Sequence, residues 1–99
     1  MIRIPEPAQF EWDDGNKHKN WLTHQVSTTE AEEAFFDPDR RLAKDVIHST
    51  ESETRSILLG KTRKGRLLFI VFTIRGKYIR VISVRDINKK ERPLYENRT

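Results

Sequence analysis

Apolar positions are scattered thinly through the first half of the chain and concentrate in the second, where Leu67-Leu68-Phe69-Ile70-Val71-Phe72 is the longest unbroken apolar run. Six such residues without alternation point to a strand covered on both faces, hence to the centre of a sheet. Strands are expected at Arg55 to Lys61, Arg66 to Ile74 and Tyr78 to Asp86. The breaks between them, Arg63-Lys64-Gly65 and Gly76-Lys77, put glycine into short connections, the mark of successive antiparallel hairpins. If Gly76-Lys77 is a two-residue turn, Thr73 faces Arg80, and Leu68 faces Arg85 from the opposite side of the sheet. A weaker run, Lys44 to His48, is a candidate fourth strand, and an acidic loop from Thr50 to Glu53 follows it.

The first half carries helix signals instead. Asp13 or Asp14 offers an acidic N-cap for a first helix, with Lys17, Lys19 and His24 toward its C-terminal end, Gly15 as its weak point, and Trp21 and Leu22 as its apolar contacts. Ser27-Thr28-Thr29-Glu30 forms a capping box flanked by Val26 and Ala31 as a hydrophobic staple, so a second helix is expected from Thr28 to about Phe36. Asp37-Pro38-Asp39 stops it. Residues 1–9, with Pro5 and Pro7, read as an extended or irregular lead-in. Near the end, Asn88-Lys89-Lys90-Glu91-Arg92 resembles a helix start that Pro93 disturbs. That helix is one turn long, bends at the proline, or begins later with Pro93 in its first turn.

These elements make one α+β domain over residues 1–99: two N-terminal helices, a three- to four-stranded antiparallel sheet and a short C-terminal helix. Ninety-nine residues suffice for one modest core. No apolar run approaches the ~20 residues of a membrane helix, and the N-terminus lacks the apolar segment of a signal peptide. There is no cysteine, which excludes disulfides, thiolate metal sites and thiol nucleophiles and accords with a reducing cytoplasm.

Charge changes the picture more than composition does. Residues 1–54 hold six Lys/Arg against twelve Asp/Glu, whereas residues 55–99 hold thirteen against three, within an overall +4. The basic half is the β-forming half, so its cations stand on a sheet, a surface suited to a phosphate-rich partner. Arginine forks match phosphate oxygens, and Arg55, Arg66, Arg75, Arg80 and Arg85 recur across the expected strands. Arg63, Lys64, Arg75, Lys77 and Arg98 sit at loop tips or a terminus and read as solvated charges. Arg80 and Arg85 interrupt an otherwise apolar strand, where an unpaired charge is costly; each is either a site residue or half of a structural ion pair.

Cleavage of RNA without a metal needs a base near the 2′-hydroxyl, positive charge on the pentavalent phosphate and an acid for the leaving oxygen. Arg85 and Arg80 are the candidates for phosphate charge, His24 for general acid or base, and Thr73 and Ser83 for hydroxyl hydrogen bonds. Lys19, Lys61 and Arg66 are candidates for holding the RNA backbone. A histidine near a helix end more often caps or packs than catalyses, and Thr73 is also an ordinary strand residue. Gly60-Lys61-Thr62 imitates the end of a nucleotide-binding loop, but Arg55 occupies the position of its first glycine, which excludes that reading. His18, His24 and His48 lack metal-ligand spacing, so neither a metal nor another cofactor is expected. Phe10, Trp12 and Trp21 could stack on bases, and core roles are expected for Trp12 and Trp21.

In order and spacing these residues resemble the BrnT family of toxins. The likeness runs through Phe10-Glu11-Trp12-Asp13, Lys19-Asn20, His24, Val26-Ser27, Glu30-Ala31 and Phe35-Phe36-Asp37. It continues through Arg55, Leu58-Leu59-Gly60-Lys61, Gly65-Arg66, Phe72-Thr73, Arg80-Val81-Ile82-Ser83, Arg85, Lys90-Glu91-Arg92 and Tyr95, about nine-tenths of the chain. The resemblance implies a RelE-like fold and a metal-independent ribonuclease toxin that cuts mRNA in the cytoplasm, arresting translation and growth. It also implies neutralisation by a BrnA-like ribbon-helix-helix antitoxin, in a heterotetramer that acts on operator DNA through the antitoxin. The chain departs from the family pattern where Thr23 and Gln25 flank His24 in place of lysine and glycine, and at Pro93. A degenerate module that binds RNA or an antitoxin without cleaving anything is the alternative.

Overall fold

The computed structural model describes residues 3–97; Arg98 and the first two residues of the lead-in lie outside them. The elements run β1 (Gln9–Trp12), α1 (Asp14–His24), α2 (Thr28–Phe35), β2 (Arg41–Lys44), β3 (Ser56–Lys61), β4 (Leu67–Arg75), β5 (Tyr78–Asp86) and α3 (Arg92–Glu96). They form an α+β domain around a five-stranded sheet of order β1-β5-β4-β3-β2.

The sheet is larger than expected and mixed. Gln9–Trp12, placed in and after the lead-in by its prolines, pairs in parallel with β5, while the other three pairings are antiparallel. Its alternation is visible in retrospect: Phe10 and Trp12 pack against the core and leave Gln9 and Glu11 on the other face. The fourth strand lies earlier than expected, at Arg41–Lys44. Asp45 ends it, accepting bonds from the His48 backbone N–H at 3.2 Å and from the His48 ring at 2.9 Å in a local turn that replaces strand pairing.

The helix α2 covers one face of the sheet, whereas α1 lies along β5 with only Asn20 buried. Asp13 caps α1 through the Asn16 N–H, and Ser27 and Glu30 close the capping box of α2. Val26 and Ala31 are both buried, as a staple requires. On the covered face lie Leu58, Leu68, Ile70, Phe72, Ile79, Val81 and Val84, with Phe35 of α2 set edge-on against Phe72 at 5.1 Å and Phe10 at 5.2 Å. Gly60 permits the close approach of α2 to β3, since a Cβ there would stand 2.5 Å from the Ala34 carbonyl oxygen.

The opposite face is only partly covered. Leu59, Leu67 and Tyr95 form a second, smaller cluster with Ile57, Phe69 and Ile87. The helix α3 begins after Asn88 and Glu91, which exchange backbone-to-side-chain bonds, and Pro93 falls in its first turn. The Tyr95 hydroxyl and the Lys61 backbone N–H both donate to Asp37, pinning α3 and β3 to the loop after α2. Burial raises the Asp37 carboxyl, but those bonds outweigh it and hold the group below the usual aspartate range.

Trp21 departs from its expected core role, being 54% exposed beside an exposed Leu22. The helix turns Asn20 inward instead. Its side-chain oxygen accepts the Val84 N–H at 3.2 Å, a donor that lies beyond the end of β1 on that edge of β5. Among the described residues no helix is long and apolar enough to cross a membrane.

Candidate functional site

The pairing of β4 with β5 decides which arginines meet. From the Gly76-Lys77 turn the register runs Arg75 with Tyr78, Ile74 with Ile79, Thr73 with Arg80 and Phe72 with Val81. Val71 then pairs with Ser83, leaving Ile82 as an extra residue, and Phe69, not Leu68, faces Arg85. This β-bulge reverses the expected relation between the two arginines. Without it, an odd separation of five would put them on opposite faces; with it, Arg80, Ser83 and Arg85 share the face away from α2.

On that open face Arg85 lies over the Phe69 ring, its guanidinium carbon 4.0 Å from the centroid. Nη1 and Nη2 donate end-on to Glu91 at 2.8 and 2.7 Å, and Nη1 also bonds the Asp86 carbonyl. Among the described residues the lateral Nε–Nη2 edge thus retains two N–H groups for an anion. Its hydrogen bonds to Glu91 raise the guanidinium pKa of Arg85, and the same bonds hold the Glu91 carboxyl below its ordinary range. Arg80 is paired with Glu11 at 3.2 Å and stands 3.6 Å from Asp13. Ser83 is exposed between the two arginines, whereas Thr73 is buried and its hydroxyl donates to the Thr54 carbonyl at 3.0 Å. Lys61 shares this face by register and lies 5.9 Å from the Tyr95 ring centroid.

The remaining candidates are elsewhere. His24 is exposed at the end of α1, on the helical side of the sheet. Its carbonyl and that of Gln25 accept bonds from Arg66, which also binds Asp86 through two nitrogens and Glu30 through one. Hydrogen bonding to Asp86 is the main cause raising the pKa of Arg66; the same contact lowers that of Asp86. Arg66 is therefore saturated by the protein and ties α1, α2 and β5 together at one corner. Lys19 is exposed on α1.

Glu91, Glu11 and Asp13, the carboxylates that orient the two arginines, were not foreseen as site residues. Glu91 is six positions after Arg85 and reads in sequence only as a helix-start residue. Glu11 becomes a neighbour of Arg80 only through the parallel pairing of β1. No three His, Asp or Glu side chains come together as a metal-binding group among the described residues.

A family model described as "Ribonuclease toxin, BrnT, of type II toxin-antitoxin system" matches residues 12–91. Among solved structures, the fold is similar to that of the ribonuclease toxin BrnT of Brucella abortus. The TM-score is 0.62 over 83% of this chain and 99% of that one, at 16% sequence identity. None of the curated protein sequences matches the chain.

Proposed function

This chain belongs to the BrnT ribonuclease toxins of type II toxin–antitoxin systems, and from that membership we propose that its open sheet face cleaves mRNA without a metal ion. One observation carries the reading: the bulge at Ile82 brings Arg80 and Arg85 to the same face of β5 with the Ser83 hydroxyl between them.

In the proposed reaction the RNA 2′-hydroxyl loses its proton to water as its oxygen attacks the adjacent phosphorus, the bond from phosphorus to the 5′-oxygen breaks, and the leaving 5′-oxygen takes a proton from water. The products are a 2′,3′-cyclic phosphate and a 5′-hydroxyl end. Negative charge grows on the non-bridging oxygens, and preoriented donors aimed at that charge lower the barrier. Arg85 offers its lateral edge while Glu91 holds it from the end, and Arg80 supplies a second guanidinium oriented by Glu11. Ser83 donates to a phosphate oxygen, Thr73 fixes the strand beside Arg80, and Lys61 guides the backbone at the α3 end. His24 and Arg66 lie at the corner around the end of β5, and Lys19 on α1 is a further contact for the RNA backbone. A proton-transfer role for His24 requires RNA to pass that corner, so His24→Ala distinguishes a catalytic histidine from a capping one.

The family pairs each toxin with an antitoxin. The proposal extends to a RelE-like fold, a BrnA-like ribbon-helix-helix antitoxin that forms a heterotetramer on operator DNA, and a cytoplasmic site of action. Occlusion of the open face by an antitoxin segment would suffice to neutralise the toxin.

A second reading has its own observation. Arg66, Arg80 and Arg85 are each paired with carboxylates of the same chain, which favours a module that binds RNA or an antitoxin without cleaving. Incubation of the protein with end-labelled single-stranded RNA in EDTA decides between the two. Fragments with 2′,3′-cyclic phosphate ends, absent with Arg85→Ala, are expected. Intact RNA with salt-sensitive binding would establish the binding module instead.

A further inference from the structure

Arg41, Leu59, Phe69 and Arg85 are successive register partners, forming one row across the open face from the edge strand β2 to β5. With strands ~4.8 Å apart, the two arginine Cα atoms lie about 14 Å from each other. Between them is a groove of about 290 Å³ lined by Ala43, Ile57, Leu59, Phe69, Glu91 and Leu94, with Arg41 at its edge.

We propose that this groove is a nucleobase subsite for single-stranded RNA, with Arg41 and Arg85 holding the phosphates on either side of the bound base. The proposal deepens the ribonuclease reading and rests on it for the identity of the ligand. Its size is the first argument: about 290 Å³ lies just below the ~300–1,000 Å³ of small-molecule sites, suiting one ring system. The walls are the second, because the Arg85 guanidinium stacked on Phe69 offers a plane on which an unpaired base can settle, and Ala43, Ile57, Leu59 and Leu94 offer apolar contact around it.

Charge is the third argument, and it selects a nucleotide over an apolar peptide. Arg41 lines one end of a mostly apolar trough, and at the other end, just outside the lining, Arg85 stands beside the one carboxylate in the wall, Glu91, with which it is paired; two guanidinium groups against one carboxylate leave a net positive rim for a base flanked by two phosphates. Arg85 keeps its lateral edge for an anion while Glu91 holds it. Arg41 is bonded to the Asn97 carbonyl through Nη2, and its Nε has no hydrogen-bond partner among the described residues. Its side chain can therefore turn to a phosphate at the loss of one bond.

The test is a fluorescence titration of the full chain with a trinucleotide carrying 2-aminopurine at its centre and 2′-O-methyl sugars, which cannot be cleaved. Saturable quenching that weakens with salt is expected. Ala43→Phe, which fills the groove from an exposed position on β2, should weaken binding at least tenfold. Arg41→Ala should weaken it and lower the salt slope by about one. Competition on the unaltered protein by the same trinucleotide with an abasic centre gives a second readout, with at least tenfold weaker competition expected. Equal competition by the abasic molecule, or undiminished quenching in a folded Ala43→Phe protein, would overturn the subsite and leave the groove to a protein segment such as an antitoxin arm. Intact RNA in the EDTA assay would overturn the cleavage reading alone, since this titration requires no cleavage.

Discussion

Arg80 and Arg85 are five residues apart on one strand and yet share a face, because Ile82 is extra in the ladder between β4 and β5. The shared face converts two separated cations into a pair that, in the proposed reaction, acts on one RNA strand. Arg85→Ala is expected to lower single-turnover cleavage by a factor of about 10²–10³, the usual loss when one transition-state donor is removed. Thermal melting should show that the variant still folds. Arg85→Lys should recover little of the activity, since an ammonium reproduces neither the lateral fork nor the stack on Phe69.

Asn20 is a polar residue placed where an amphipathic helix would ordinarily bury an apolar one. Its side-chain oxygen satisfies the Val84 N–H at the open edge of β5. Asn20→Ala leaves that buried donor unpaired and should destabilise the fold by about 1–3 kcal/mol in urea denaturation. Trp21→Ala, at the exposed neighbouring position, should cost much less. Equal losses for the two variants would contradict the assignment of helix faces.

Gln25 closes α1 in a left-handed conformation, with φ 54° and ψ 41°. A side chain there is strained by ~1–2 kcal/mol, partly offset by the greater freedom that glycine has in the unfolded chain. Gln25→Gly is therefore expected to stabilise the protein by about 0.5–1 kcal/mol, read as a raised denaturation midpoint with an unchanged slope. A lowered midpoint would show that the Gln25 side chain contributes something the backbone does not reveal.

The pairing of Glu91 with Arg85 makes part of the stability depend on pH. Hydrogen bonds from Arg85 hold the Glu91 carboxyl below its unfolded value, which is ~4.3 for glutamate. A depressed folded pKa stabilises fully above the unfolded value and is lost as pH falls through the folded one. Stability should therefore decline below about pH 4–5, with a shallower decline in Glu91→Gln. Identical acid limbs for the two proteins would mean that the pair contributes nothing measurable.

Close packing at Gly60 gives a fourth stability test. Gly60→Ala drives a methyl group into the Ala34 carbonyl, and the resulting separation of α2 from β3 should cost about 1–3 kcal/mol.

Local signals located the elements that local chemistry specifies. The capping box starts α2 at Thr28, and the glycine turn at Gly76-Lys77 sets β5 at Tyr78–Asp86 with Thr73 opposite Arg80, as the sequence predicts. What escaped depends on partners distant in the chain. Gln9–Trp12 becomes a strand only through parallel pairing with β5, and Trp21 stays outside because an unpaired strand edge demands Asn20. The Ile82 bulge has no glycine to mark it, so continuing the hairpin register placed Arg85 opposite Leu68. The candidate site was legible as residue types, Arg80, Ser83 and Arg85 among them, but not as an arrangement. The acidic half turned inward to meet the basic half, most clearly where Glu11 and Asp13 reach Arg80 and Glu30 reaches Arg66.

The most direct measurement of the central claim is cleavage of end-labelled RNA in EDTA by the unaltered protein, Arg80→Ala, Arg85→Ala and His24→Ala, with melting curves to establish folding. If the open face is the catalytic surface, the unaltered protein leaves 2′,3′-cyclic phosphate ends, and both arginine variants are folded and severely impaired. Full activity in the arginine variants, with loss confined to His24→Ala, would move the chemistry to the helical side and contradict the account.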